Sequence, residues 1–267
     1  MAHYDAFGHS LIYVSKAAFL RERLGPQVAP PLVLSLVRQL TVATREDRIP
    51  EFRAYTEALG QWRLNSSRLE PHPDAWHQLG VNQALAATVA HSHARAEAIY
   101  TSLLLTNAEN LLNFDIRRQD TVHVSVSGDV GWLDFTHGIT FANAVRKLCA
   151  KFPDLWPQGL LQLSCFAGRN ASFTDASAMA AGGRLINDTD IGLDELLELV
   201  LNHGQAEYIV SVHWLKVVLA AREALRQLDV DGANRLVSAV NRFIRSPLRR
   251  RQVKRTAYQA IEFVAKE

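Results

Sequence analysis

The sequence predicts an all-α fold, a multi-helix bundle with at most a short β-hairpin. Three observations carry this. Apolar residues recur at steps of three and four along most of the chain. Proline and glycine fall between those runs rather than within them. Strict alternation of apolar and polar residues, the mark of a half-buried strand, is nearly absent. About nine to eleven helices are expected, in one domain spanning residues 1–267.

The first run holds Tyr4, Phe7, Leu11, Val14 and Ala18 at helical spacing and stops at Gly25-Pro26. A second opens on Pro30-Pro31 and places Leu32, Val33, Leu34, Leu36, Val37 and Leu40 on one broad face. Pro50 marks the start of a third, and Ser66 to Pro73 reads as a polar loop. Helical runs follow over Leu85 to Leu112, Phe141 to Leu148, Leu193 to Leu201, Tyr208 to Leu228, Ala233 to Ile244 and Thr256 to Val264. Asp154 is placed to cap a helix running toward Phe166, and Asp190 one that includes Leu193. Gly168 to Asn170 and Gly182-Gly183 bound an irregular stretch, and His203-Gly204 reads as a helix C-terminus. Only Val122 to Val126 alternates like a strand, between two turn signals.

Composition narrows the function classes. With 267 residues, 48% of them hydrophobic, the chain can bury a core that needs no covalent staples. A formal net charge of +2 gives no field directed at nucleic acid or acidic lipid. Cys149 and Cys165 are too few for a disulfide framework, so a reducing cytoplasm is expected. Neither a signal peptide nor a membrane-spanning run is expected. The cluster from Arg245 to Arg255 reads as the solvated start of a last helix or as a partner-docking patch.

The histidines carry the chemical signal. His9, His91, His93, His137 and His213 lie inside apolar helical segments. A buried imidazole needs a hydrogen-bond partner or a metal. One such residue is ordinarily a satisfied core histidine. Several on separate helices of a bundle can be aimed at one interior point, as bundle metal sites are. His9, His137, His213 and at least one of His91 and His93 are therefore expected to converge. Neutral imidazole suits iron, zinc, copper or nickel.

Lys216 stands three residues after His213, so the two share a helix face, in the apolar setting Leu215-Lys216-Val217-Val218-Leu219. It can snorkel to the surface, or pair with a carboxylate such as Glu207 or Glu223. Burial can instead lower its pKa, and a neutral amine takes up carbon dioxide to form a carbamate, an oxygen ligand for a metal. Glu207, six before His213, is placed either to orient a ligand or to favour the start of its helix.

At these residues the chain resembles the questin oxidase-like family. Gly8-His9-Ser10-Leu11-Ile12-Tyr13 is similar to that family's early His-Pro-Leu-Ile-His segment, with Ser10 and Tyr13 where the family has proline and a second histidine. Thr136-His137-Gly138-Ile139-Thr140 is similar to its central His-Gly-Val-Thr, and His213-Trp214-Leu215-Lys216 to its His-x-x-Lys. The resemblance implies an all-helical oxygenase of aromatic polyketides such as anthraquinones. It also implies non-haem iron (Fe2+) held by histidines and a carboxylated lysine, carried over here onto His9, His137, His213 and Lys216, with His91 or His93 completing the set.

Two functions from different classes follow. One is a metal-dependent oxidoreductase, a non-haem iron oxygenase acting on an aromatic or polyketide-like molecule, with a ferredoxin-like donor if external electrons are needed. The other is a non-catalytic helical interaction module with core histidines. Cys165 reads as a small core residue. Trp132, Phe135, Phe141, Trp156, Phe166 and Trp214 read mostly as core, some of them as walls of an apolar pocket. Gly168-Arg169-Asn170 reads as a helix-ending turn before it reads as an anion site.

Overall fold

The computed structural model describes residues 7–43, 52–63, 70–125, 128–180, 183–184, 190–247 and 253–265. Twelve α-helices lie among them: α1 His9–Leu24, α2 Ala29–Thr41, α3 Ala54–Gly60, α4 Val81–Ala90, α5 Ala96–Leu112, α6 Trp132–Lys151, α7 Trp156–Ala171, α8 Ala176–Ala180, α9 Leu193–Leu201, α10 Tyr208–Ala224, α11 Val230–Arg245 and α12 Val253–Val264. The excess over the expected number has two sources: the run Leu85 to Leu112, read as one helix, is divided by the turn at 91–95 into α4 and α5, and short helices such as α8, which spans five residues, leave too little periodicity to read.

No sheet forms among the described residues; a single bridge joins Phe114 and Thr174. In the valine-rich stretch, residues 122–123 form a bend and 124–125 are irregular, and Val126 lies outside the described residues. Pro50 and Arg249 to Arg251 lie outside them too.

The centre is built from α5, α6 and α7, which pack on one another. They bury residues almost all round, including Leu103, Ala108, Leu111, Phe135, Val145, Leu160 and Leu163. Around this centre, α4 packs on α7, α11 on α5, and both α1 and α10 on α6, while α9 covers α10 and α2 covers α1. The α4–α7 contact depends on Gly168, where a Cβ would lie 2.6 Å from the Val81 Cα. The sequence suggests a turn there. In the structure α7 continues to Ala171, and the glycine's missing side chain admits the neighbouring backbone.

Two cap assignments are corrected. Asp154 sits inside a 3-10 turn, Pro153–Leu155, and α7 starts after it with no side-chain cap. Gly192, not Asp190, precedes α9. The helix-end reading of His203-Gly204 fits: α9 stops at Leu201, and Gly204 has φ +58°. The basic C-terminal segment is corrected in part. Arg255 is not solvated but 1% exposed. It donates to the Asp129 carboxylate at 3.2 Å and to the Gln119 carbonyl at 2.5 Å, and so ties α12 to the segment leading into α6.

Three helices set the geometry of the site. His9 meets His137 and Glu22 meets Lys151, at chain separations of 128 and 129. His137 meets His213 and Lys147 meets Glu223, both at 76. Contacts that recur at a constant separation mean that α1, α6 and α10 run parallel and in register. The histidine of each therefore falls at one level.

Candidate metal centre

Each imidazole is delivered by its helix. His9 is the first residue of α1, and Gly8 before it takes φ +77° with the Phe141 ring directly behind it. An added Cβ would lie 2.5 Å from that ring, so only glycine lets the chain turn into α1 at this point. His137 is in the second turn of α6, beside Gly138, whose bare Cα lets Asn107 of α5 approach. His213 is in the second turn of α10.

The three ring nitrogens face one another. His137 Nε2 is 3.1 Å from His9 Nε2 and 3.3 Å from His213 Nε2, and the three ligand atoms all lie within 4.8 Å of one another. Two imidazoles bound to one metal at ~2.1 Å hold their nitrogens about 3.0 Å apart at a right angle and about 3.4 Å apart at a tetrahedral angle. Both measured separations fall in that span.

The opposite edge of each ring supports the same assignment. His213 Nδ1 lies 2.6 Å from the Ile209 carbonyl, which can only accept, so Nδ1 carries the proton and Nε2 presents its lone pair to the cluster. His137 Nδ1 is buried without a hydrogen bond of normal geometry, although the Leu133 carbonyl one turn earlier still favours a proton on the ring. Burial, with His9, His213 and Lys216 close by, holds His137 well below imidazole's ordinary pKa. Burial and then Lys216 bring His213 down to about 4. Both rings are neutral near pH 7, and their Nε2 atoms face one another at 3.3 Å. Ring nitrogens this close need a proton or a cation between them. The three histidines form a buried cluster able to coordinate one metal ion.

Lys216 borders this cluster, with Nζ 3.5 Å from His213 Nε2. Burial, and to a lesser degree Lys16, lowers its pKa. It does not pair with Glu223. That carboxylate accepts from Asn143 at 2.6 Å and from Lys147 at 2.7 Å. Glu207 is exposed at the N-cap of α10, and its side chain does not cap the helix. Phe7 stacks on His137 and Tyr13 lies against His9, with ring centroids 6.1 and 5.5 Å apart.

His91 and His93 are not brought to the cluster. His91 Nδ1 donates to the Ala87 carbonyl at 2.8 Å and its ring lies against Trp76, the arrangement of a satisfied core histidine. His93 is exposed in the turn after α4. The polar group of Lys16, Asn143, Lys147 and Glu223, two to three turns along the same three helices, escaped sequence reasoning. Its signal was present in part, since Glu223 lies seven residues after Lys216 and so on the same face.

Cys149 and Cys165 are buried and form no disulfide, and burial pushes the Cys149 thiol up to about 12, which leaves it inert. Trp132, Phe135, Phe141, Trp156 and Phe166 are core residues, and Trp214 packs against the core partly buried. Among the described residues no helix is long and apolar enough to cross a membrane. Comparison with models of known families, with curated proteins and with solved structures finds no match to this chain.

Proposed function

We propose that the protein is a metal-dependent oxidoreductase whose centre is non-haem iron held by His9, His137, His213 and Lys216, acting on an aromatic or polyketide-like small molecule. The observation that carries the metal is the facing of three Nε2 atoms at ligand spacing, with His213 locked in the tautomer that a metal requires. The iron and the substrate class are supported by the three ordered motifs that resemble the questin oxidase-like family.

Bound there, iron supplies oxygen activation and redox chemistry. The chain's own residues hold and shield it. The Ile209 carbonyl fixes one ring's orientation, and the Phe7 and Tyr13 rings pack against His137 and His9. Lys216 cannot approach a cation as an ammonium. Its lowered pKa favours the free amine, which adds to carbon dioxide with loss of one proton to give a carbamate, an anionic oxygen donor beside three neutral imidazoles.

Metal analysis of protein purified without a histidine tag tests the reading. About one iron per chain is expected, lost in His137→Ala and reduced in Lys216→Ala with the helical circular dichroism unchanged. Lys216→Glu, which returns a carboxylate on a shorter arm, should recover part of the iron. A wild-type protein that holds zinc, copper or nickel instead of iron would overturn the oxygenase, and one that neither retains nor takes up any of these metals would establish the cluster as core histidines.

A further inference from the structure

Between α1 and α2 lies a groove of about 240 Å³, lined by Tyr13, Lys16, Leu20, Leu32, Leu36 and Gln39. The two helices form an antiparallel hairpin, since Ser10 near the start of α1 donates to Gln39 near the end of α2 at 3.1 Å. The groove therefore runs from the hairpin turn, at Leu20 and Leu32, toward the metal centre, at Tyr13 and Gln39. Tyr13 lines the groove and lies against His9; Ser10, which holds Gln39, is the next residue after His9. From Leu20 to Tyr13 is seven residues, about 10 Å of helix. A cavity of ~150 Å³ takes benzene, so this one has room for two fused rings.

Lys16 sets the polarity of the occupant. Among the described residues it makes no ion pair. The nearby carboxylate, Glu223, is already held by Lys147 and Asn143. Partial burial and the Lys147 ammonium lower the Lys16 pKa more than the Glu223 carboxylate raises it, and the side chain still reaches solvent at the rim of the groove. An ammonium at the edge of an apolar slot fits an acid with an apolar body.

We infer that the α1–α2 groove binds an apolar carboxylic acid of about two fused rings, its carboxylate on Lys16 and its ring system between Leu20, Leu32 and Leu36, as the substrate subsite of the neighbouring centre. This deepens the proposed function and rests on it for the fate of the ligand, but not for binding.

The test uses 2-naphthoate and its neutral isostere 2-naphthamide, titrated calorimetrically against the full chain. Naphthoate should bind at least tenfold more tightly than naphthamide. Lys16→Met should abolish that preference and leave naphthamide affinity unchanged. Leu36→Trp, which fills the slot from a half-buried position, should weaken both at least tenfold with circular dichroism and iron content unchanged. Equal binding of the two probes, a preference that survives Lys16→Met, or indifference to Leu36→Trp overturns the assignment. The titrations are repeated on His213→Ala. A preference retained there and lost in Lys16→Met supports the groove even if the wild type holds no metal. A preference lost there but kept in Lys16→Met places the carboxylate on the metal and overturns the groove.

Discussion

His213 shows how one side chain couples stability to the site. Its Nδ1 proton is committed to the Ile209 carbonyl, and burial with Lys216 brings its pKa to about 4, against 6.5 for a free imidazole. His137 is held lower in the same sense. In the metal-free protein the unfolded chain therefore binds more protons than the folded one between pH 6.5 and about 4. Where the unfolded state binds more protons, stability rises with pH. These residues cost nothing above pH 6.5 and destabilise the fold progressively as the pH falls toward 4. Urea midpoints of the metal-free protein should drop across this window, and the drop should be smaller in His213→Gln, which cannot take up a proton. Equal slopes for the two proteins would mean that His213 is not buried as a neutral ring.

Much of this site was legible at the residue level, and the reason is physical. His9, His137 and His213 stand out because an imidazole among Leu, Ile and Val needs a special partner, and three such residues on three helices meet at one point. His91 met the same sequence criterion and failed it in space. A carbonyl one turn back satisfies its Nδ1, and local backbone geometry of that kind leaves no trace in residue type. The Asn143, Lys147 and Glu223 network, with Lys16 nearby, was less visible because its members look like ordinary polar groups on amphipathic helices until parallel axes bring them to one level.

Two glycines show what elements contribute. A helix running toward Phe166 was legible from its start signal, but not how closely it approaches its neighbours. Gly168 was read as punctuation, whereas it is the contact point of α7 with the Val81 backbone of α4. Gly168→Ala should therefore destabilise the protein by about 1–3 kcal/mol, the usual cost of overpacking, and leave iron content unchanged, because neither helix carries a ligand. Gly8→Ala should act differently. Its Cβ would strike Phe141, and its φ of +77° is one that only glycine takes without strain. Relieving either constraint moves the first residue of α1, which is His9. This variant should lose metal as well as stability. Thermal melts paired with iron content separate the two outcomes, and parallel losses in both variants would show that Gly8 does not position the ligand.

Across the whole molecule the site ties a lightly packed part to a dense one. The helices α5 and α7 bury most of their side chains, from Ile99 to Leu112 and from Gly159 to Ala171. By contrast α1 buries only Ser10, Ile12 and Ser15, and no residue of α2 is buried, although Val33, Leu34, Val37 and Leu40 are apolar. A metal joining His9 to His137 and His213 would fasten this hairpin to α6 and α10 at one end. A ligand that binds only the folded state stabilises it by about 2.7 kcal/mol at a hundredfold excess over Kd, or about 5–10 °C for a chain of this size. That stabilisation should not spread evenly, because local opening draws on the least buried elements first. Chelation should speed amide hydrogen exchange in α1 and α2 at least tenfold and leave the slowest amides of α5 and α7 unchanged. His9→Ala should reproduce the pattern without chelator, since it severs the same link from the protein side. Exchange that stays the same in α1 would mean that the hairpin is held by packing alone and that the three histidines share no ion, whereas a rise of equal size in α5 and α7 would mean that the ion stabilises the whole fold rather than the hairpin.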